Sequence, residues 1–401
     1  MARTLVSAAP KVREGLRDIG YNARMIRVAV LALFAVLCCA QVRSGKFHNR
    51  DAWMLETPAM RVTVMQVGGH IAEIVLKGGG AVNPLWVQKR PTIDASDYDP
   101  ARHEKFYGGG SGARLMSGLL GHNVCFPFWG NPSPSEAKAG MTFHGETGVV
   151  RWKQVAADEG ALTIAADLPE SRTRLVRALR VSGQVVYFQS TGENLSAWDR
   201  PAGWCEHVTL GPPFLEKGVT VSDASLTRGR RSGDESGKEF VWPAGAAETA
   251  IDLRKVRDIE RSGFVNNFLV DPSRELGFFA AVNPRLRVLF GYVFPRAEFP
   301  WLNIWEANNP DMLTRGMEFS NTPTHGSLKA LVAAKPLFST PMYEWLDAKA
   351  KLAKRFAAFS ARVPAGYRGV ADVRVSGERL EIVERETATV ITLEFDGWGR
   401  P

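Results

Sequence analysis

The sequence predicts an all-β protein in which antiparallel sheets pack face to face as a sandwich. Apolar residues make up 45% of the 401-residue chain, which is enough for a substantial buried core. Short runs of alternating apolar and polar residues recur along the chain, with Gly, Pro, Asn and Asp turns between them. Strands and helices do not alternate regularly before residue 340, and this argues against a parallel α/β fold.

The strand-like segments define the extent of the predicted sandwich, which is residues 50–342. The first is "MRVTVMQVGGHIAEIVL" (60–76), in which two alternating runs flank a Gly-Gly pair and predict a hairpin. Five further runs have the same character and are also predicted strands: 161–168, 174–194, 264–271, 276–284 and 286–294.

The pattern changes near Pro341, and residues 343–401 are predicted to form a C-terminal helix and short strands packed on the sandwich. In residues 343–363 apolar side chains recur at helical spacing opposite a lysine-rich face, which predicts one amphipathic helix. A role for this helix in binding DNA or a membrane surface is the less favoured interpretation.

The first 40 residues are interpreted as a signal peptide or leader. Two arginines precede an apolar run over residues 28–39, which is too short for a comfortable membrane span and is typical of a secretory signal. Ala40 supplies the small residue expected before a cleavage site. We therefore expect a periplasmic or secreted protein that begins near Gln41 and lacks a membrane span, with an uncleaved anchor as the alternative.

The charge and the cysteines exclude several classes of function. Much of the formal net charge of +8 lies in the leader, and no later basic cluster accompanies a nucleic-acid-binding motif, so no nucleic-acid partner is predicted. Beyond the leader only Cys125 and Cys205 remain, and either one disulfide or two buried thiols is possible. Their spacing is not that of a zinc site, and no metal or other cofactor is predicted.

Three separated segments carry candidate catalytic residues. They are "FHGETGVVRW" around His144, "WCEHVTLGPPF" around His207 and "FPWLNIWEANNP" around Glu306. Upstream of them, "GGSGARLMSGLLGHNVCFPFWGNPSP" (109–134) adds a Gly-rich loop and a Pro-Phe-Trp wall. The order of these segments resembles the aldose 1-epimerase, or galactose mutarotase-like, superfamily over roughly residues 60–340.

This resemblance implies a galactose-mutarotase-like β-sandwich with a carbohydrate-binding cleft on one sheet. It also implies that His144 positions the substrate, that His207 is the general acid and that Glu306 is the general base. The family has an arginine soon after its Pro-Phe-Gly segment, where this chain has Asn131. The candidate substrate-binding residues are therefore Trp129, Asn131, Trp305 and, further upstream, Arg114.

Anomer interconversion requires such an acid and base. The proton of the anomeric hydroxyl must leave while the ring oxygen gains one, and a carboxylate with an imidazolium can perform both transfers without a metal. Trp305 offers a stacking surface for the sugar, although adjacent residues of a regular strand, here Trp305 and Glu306, should point to opposite faces. Glu318 in "GMEFSNTP" is a competing carboxylate, but its position predicts an exposed residue near a turn.

Other candidates have weaker support. Glu206 is adjacent to His207, so on a strand the two side chains should diverge. His122 and His325 lie in turn-like segments and are spare candidates for binding.

The sequence therefore predicts a carbohydrate-active protein, and an aldose 1-epimerase-type isomerase is favoured. Its substrate would be a small sugar or an oligosaccharide. The alternative is a non-catalytic carbohydrate-binding protein on the same fold, and the missing arginine keeps that alternative open. A lyase or hydrolase is a third possibility, because fold does not fix the reaction.

Overall fold

A computed structural model of the protein describes residues 41–398 except 235, 246–250, 257–260, 263–264 and 311. The predicted leader, residues 1–40, lies outside the described residues. In chain order the first strands are β1 (Gln41–Phe47), β2 (Arg50–Glu56), β3 (Met60–Met65), β4 (Ile71–Leu76), β5 (His122–Cys125), β6 (Lys153–Asp158), β7 (Ala161–Leu168), β8 (Thr173–Ser182), β9 (Val185–Asn194), β10 (Arg200–Ala202), β11 (Cys205–Leu210) and β12 (Val221–Ala224).

The strands continue to the end of the described chain. They are β13 (Leu226–Arg231), β14 (Glu239–Val241), β15 (Arg261–Ser262), β16 (Asn266–Val270), β17 (Leu276–Asn283), β18 (Val288–Pro295), β19 (Trp301–Asn308), β20 (Leu313–Ser320), β21 (Glu344–Leu346), β22 (Lys351–Arg362), β23 (Val370–Ser376), β24 (Arg379–Glu384) and β25 (Val390–Glu394). The described helices are short: Ala95–Asp97 (a 3-10 turn), Pro100–Tyr107, Ala113–Gly118, Pro134–Lys138 and Leu328–Ala333.

Two large antiparallel sheets form the sandwich. The larger sheet has the order β1-β2-β3-β4-β5-β11-β20-β19-β16-β13-β14, with β15 paired to β19. The smaller sheet has the order β12-β17-β18-β22-β9-β8-β7-β6. Two minor sheets, β10-β21 and β23-β24-β25, complete the described strands. The predicted antiparallel β-sandwich is confirmed.

The inner faces of the two sheets share one apolar core because side chains alternate along each strand. In β19, Leu302 and Ile304 point into this core, and in β20 Met317 and Phe319 do the same. The residues between them therefore face outward, and this alternation places the functional site on the outer face of the larger sheet.

A buried polar network also lies between the sheets, around Glu206. The carboxylate is fully buried and accepts hydrogen bonds from Arg177 Nη2 at 2.5 Å and from Trp204 Nε1 at 2.9 Å, and it lies 2.7 Å from His122 Nε2. Burial alone would raise the pKa of Glu206, but Arg177 and His122 outweigh it and the pKa is lowered. Glu206 and the spare candidate His122 are therefore partners in the core and do not face the cleft.

The prediction of a C-terminal helix over residues 343–363 is wrong. Residues 351–362 form the longest strand, β22, which pairs with β18 on one side and with β9 on the other. Residues 356–361 of this strand are buried on both faces and lack an alternating pattern, so the alanine-rich sequence "KLAKRFAAFSAR" is ambiguous between helix and strand. Hydrogen bonds to two neighbouring strands decide the outcome.

The sandwich consequently extends beyond its predicted limits of 50–342. β1 begins at Gln41 and pairs with β2 over its whole length, and β22 belongs to the smaller sheet. The last strands, β23–β25, form a small sheet that packs on the outer face of the smaller sheet through a second apolar cluster. None of the helices described is both long and apolar enough to span a membrane.

Candidate functional site

A cavity of about 450 Å³ opens on the outer face of the larger sheet. Aromatic side chains form much of its wall, and a group of titratable side chains converges on it. The aromatic residues are Trp86, Trp129, Phe143 and Trp305, and the titratable residues include His144, His207, Glu318 and His325.

Strand parity explains which side chains reach this cavity. On β11 the outward residues are Cys205, His207 and Thr209, because Val208 and Leu210 point into the core. On the neighbouring β20 the outward residue is Glu318, which lies between the inward Met317 and Phe319. The register of β19 against β20 pairs Asn303 with Glu318 and Trp305 with Gly316, so these residues share the outer face.

His207 and Glu318 are the central pair of the site. His207 Nε2 lies 3.0 Å from Glu318 Oε1, and both side chains are almost completely buried. The contact is close but poorly directed, since neither oxygen of Glu318 has a well-aligned hydrogen bond within the described chain. Thr209 Oγ1 lies 3.3 Å from the other ring nitrogen of His207, Nδ1, and holds the ring in place. The carboxylate therefore retains lone pairs that a substrate hydroxyl can use.

His144 is held beside His207 by a constrained turn, and the two ring centroids are 5.0 Å apart. The residue has a φ of 65°, in the left-handed region that non-glycine residues seldom adopt. Gly145 follows with a φ of 83°, and a Cβ there would lie 2.2 Å from Phe126 O, so only glycine allows this close approach.

Burial also determines the charge of His144. Desolvation, followed by the neighbouring His207 and His325, lowers the pKa of His144 well below its usual range. The ring is consequently neutral at neutral pH and can donate or accept a single hydrogen bond from each nitrogen. Its Nδ1 has no hydrogen-bond partner among the residues that the structure describes.

His325 completes the cluster of histidines. Its ring stands edge-on to Trp129 at 4.8 Å and lies 5.6 Å from the ring of His144. Burial lowers the pKa of His325, although Glu318 opposes that shift. The spare candidate of the sequence analysis therefore lies in the cavity, together with the predicted binding residue Trp129.

Glu306 does not join the two histidines. Its side chain points to the opposite face of β19, where Arg315 Nη1 donates a hydrogen bond to Glu306 Oε1 at 2.6 Å. The assignment of Glu306 as the base is corrected for this reason, and Glu318, which the sequence suggested would be exposed, is fully buried at the cavity. The opposite orientations of Trp305 and Glu306 agree with the strand-parity argument.

Two of the predicted binding residues lie away from the cavity wall. Asn131 is exposed and accepts a hydrogen bond from Ser111 Oγ at 3.3 Å. Arg114, on the helix Ala113–Gly118, donates from Nε to the carbonyl of Ala95 at 3.0 Å. Neither lines the cavity, whereas the predicted Trp129 and Trp305 both do.

Several buried polar atoms on the same face have no hydrogen-bond partner within the described residues. Register pairs Asn123 with His207 and Asn267 with Asn303, so all three asparagines face outward. The unpaired atoms are Asn123 Oδ1, Asn267 Oδ1, Asn303 Oδ1, Trp129 Nε1 and Trp305 Nε1. Buried polar groups are rarely left unpaired. Of these residues, Trp129 and Trp305 line the cavity.

The structure also bears on metals and on the cysteines. Over the described part of the chain, no three His, Cys, Asp or Glu side chains are arranged to hold a metal ion. Cys125 and Cys205 are paired in register on β5 and β11, but both are buried free thiols. The sequence left open either one disulfide or two buried thiols, and the structure has two buried thiols.

Comparison with known proteins identifies the fold. No family profile and no curated protein matches the sequence. Among solved structures, a galactose mutarotase-like protein from Clostridium acetobutylicum has a TM-score of 0.58 and 14% identity, covering 81% of this chain and 99% of that one. A Klebsiella pneumoniae protein assigned as an aldose 1-epimerase has a TM-score of 0.58 and 13% identity, covering 79% and 80%.

A third similar structure is a galactose mutarotase related enzyme from Lactobacillus acidophilus. Its TM-score is 0.54 at 10% identity, with 78% of this chain and 99% of that chain covered. These likenesses confirm that the chain has the galactose-mutarotase-like fold that the order of its motifs resembles. At identities of 10–14% they concern the fold, and the roles of individual residues are argued below from geometry.

Proposed function

We propose that the protein interconverts the α and β anomers of a sugar, with Glu318 as general base and His207 as general acid. The observation that carries the proposal is the buried contact of 3.0 Å between these two side chains, at the floor of an aromatic-walled cavity. The fold of aldose 1-epimerase-like proteins supports the same class of reaction.

The geometry suits the two proton transfers. The anomeric oxygen and the ring oxygen are both bonded to C1, so an acid and a base that contact each other can reach both. Glu318 takes the proton of the anomeric hydroxyl while His207 gives its Nε2 proton to the ring oxygen. The bond between C1 and the ring oxygen breaks and an aldehyde forms. After the aldehyde rotates, closure on its other face returns both protons.

The remaining groups of the cavity serve binding. Trp305 and Phe143 offer apolar faces on which the C–H face of a pyranose can stack. The ring of His325, which lines the same cavity, can form a hydrogen bond with a sugar hydroxyl. Neutral His144 can bind another hydroxyl without competing with His207 as the acid, because its lowered pKa keeps it unprotonated.

The test combines the exchange between anomer signals in NMR spectra with calorimetric affinity, across a panel of freshly dissolved sugars. We expect His207→Asn to slow the exchange by a factor on the order of a hundred or more, while sugar binding survives. The exposed His48, in the turn between β1 and β2, provides the matched control His48→Asn, which should behave like the wild type.

The isomerase and the non-catalytic binding protein predict different results in this experiment. If the anomers exchange no faster with wild-type protein than in buffer alone, while the protein binds sugar measurably, the protein is a non-catalytic binding protein and not an isomerase. Equal exchange rates for His207→Asn and the wild type would remove His207 from the mechanism.

A further inference from the structure

We infer that the cleft continues into a second, basic subsite that binds the carboxylate of a neighbouring sugar unit, so that the substrate is an acidic oligosaccharide. This inference rests on the proposed function, because it takes the histidine-lined cavity as the place of the reducing-end sugar. It adds the class of substrate, which the acid and base alone do not define.

The second subsite is a separate cavity that adjoins the first. It has a volume of about 490 Å³ and is lined by Trp86, Gln88, Lys89, Arg90, Met116, Asn309 and Met312. Three of these residues, Trp86, Met116 and Met312, also line the histidine cavity. Each cavity is within the size range of small-molecule sites, and a ligand that passes over the shared wall can occupy both.

The shared wall is firmly anchored. Trp86 N donates to Thr209 O at 2.8 Å, and Gly121 N donates to Trp86 O at 2.8 Å. The Trp86 side chain is 8% exposed, and its Cα lies so close to Gly211 that a Cβ at that glycine would be 2.8 Å away. A fixed indole between two cavities provides a stacking surface where two linked sugar units meet.

Arg90 is oriented by buried groups. Its Nε donates to Gln88 Oε1 at 2.8 Å, and Gln88 is itself buried and donates from Nε2 to the carbonyls of Met116 and Leu119 at 2.9 and 2.8 Å. The guanidinium also donates to the carbonyl of Phe106 and lies 5.0 Å from the centroid of the Tyr107 ring. This arrangement reduces the entropy lost when a ligand is bound.

Among its described residues the subsite has two cationic side chains, Lys89 and Arg90, which attract an anion. Among the described residues no carboxylate forms a salt bridge with Lys89 or Arg90. Lys89 Nζ donates a hydrogen bond to the carbonyl of Pro310 at 3.2 Å. The described residues lining the second cavity include no Asp or Glu. A planar carboxylate matches the fork of an arginine, so the sixth carbon of a uronate unit is the chemical group that this subsite fits.

Calorimetry on matched pairs of disaccharides tests the inference. The acidic members are α-1,4-digalacturonate and β-1,4-dimannuronate, and the neutral members are the corresponding galactobiose and mannobiose. We expect at least one acidic disaccharide to bind about tenfold more tightly than its neutral partner at low salt, which corresponds to about 1.4 kcal/mol, because the guanidinium forms charge-assisted hydrogen bonds with the carboxylate. The preference should weaken as salt is added.

The variants separate the subsite from general charge effects. The double variant Lys89→Gln/Arg90→Gln should reduce the preference to within about twofold, with little change for the neutral disaccharide. The double variant Lys153→Gln/Arg379→Gln removes the same charge from exposed positions on β6 and β24, and should keep the preference.

The outcomes are distinct from those of the anomer-exchange experiment. Equal affinity for the acidic and neutral disaccharides would overturn the basic subsite, and so would an acidic preference that survives Lys89→Gln/Arg90→Gln. Binding of none of the four disaccharides would overturn it as well. The proposed function is judged on exchange rates with its own sugar panel, so it can stand when the subsite fails.

Discussion

At the scale of single residues, two glutamates near each other in the chain occupy opposite faces of one sheet. Glu318 faces the cavity, whereas Glu306 lies beneath the sheet in an ion pair with Arg315. We predict that Glu318→Gln lowers anomer exchange by about a hundredfold or more, because the amide cannot accept the proton. The unfolding temperature should change little, since the shape of the side chain is kept.

Glu306→Gln should give the opposite result. Exchange should stay within a few-fold of the wild type, but the free energy of unfolding should fall by about 2–3 kcal/mol, because Arg315 loses a buried hydrogen-bonded carboxylate. NMR exchange and chemical denaturation of both variants decide the matter. If Glu306→Gln removes exchange and Glu318→Gln leaves it intact, the two roles have been assigned in the wrong order.

At the scale of elements, the register of β19 against β20 shapes the cavity wall. Trp305 lies directly opposite Gly316, and a Cβ at Gly316 would lie 1.8 Å from Trp305 Nε1. We predict that Gly316→Ala displaces the indole and weakens sugar affinity roughly three- to tenfold, which is the contribution of one aromatic stacking contact.

A matched glycine on the same sheet provides the control for this prediction. At Gly45 on β1 a Cβ would meet only the flexible side chain of Met54, with the sulfur at 3.3 Å. Gly45→Ala should therefore leave sugar affinity unchanged in calorimetry. A Gly316→Ala protein with wild-type affinity would show that the position of Trp305 does not matter for binding.

The elements also show how far the sequence could be interpreted. β8, in which buried and half-buried residues alternate, was predictable from period two. β22 was not, because its second half is buried on both faces and its alanines and lysines are at least as common in helices as in strands. Its structure depends on β9 and β18, which are remote in sequence.

The site was predictable in part for a related reason. His144 and His207 followed from the motif order, but the choice between Glu306 and Glu318 depends on which face of a strand each occupies. One signal was present in "GMEFS", where Met317 and Phe319 flank Glu318 as inward-facing neighbours. The resemblance to the aldose 1-epimerase superfamily pointed to Glu306 instead. The contacts of Arg315 and those of the second, basic subsite depend on tertiary structure, so they leave no local pattern in the sequence.

At the scale of the whole molecule, buried histidines make stability depend on pH. Burial is the main cause that lowers the pKa of His70 to about 3, and it also lowers the pKa values of His122 and His144. The unfolded chain binds protons near the ordinary value of 6.5, whereas the folded chain does not, so stability is present above that pH and is lost as the pH falls below it.

We therefore predict that the free energy of unfolding decreases between pH 7 and about 5.5, by at most about 1.4 kcal/mol per pH unit for each such histidine. Urea denaturation at several pH values measures this slope. His70→Asn should make the slope shallower by up to the contribution of one bound proton, while the exposed control His48→Asn should leave the slope unchanged. The same slope in wild type and His70→Asn would contradict the assignment.

Export is a second prediction for the whole molecule, and it rests on the sequence. We propose that the segment up to Ala40 directs export and is removed, because a short apolar run after two arginines precedes a small residue. Mass spectrometry of the protein recovered from its native cell should find an N-terminus near Gln41. A cytosolic species that retains the apolar run over residues 28–39 would contradict it.

The central position of β22 has a consequence for how the chain folds. In the described sheet β9 and β18 are joined through β22, so until β22 is in place the smaller sheet consists of two unconnected parts, β6–β9 and β12-β17-β18. Each part then presents an open edge to other chains, and such edges favour aggregation. The strand of this sheet that is nearest the C-terminus is therefore the one that ends the exposure, and a chain truncated before Lys351 keeps both edges open.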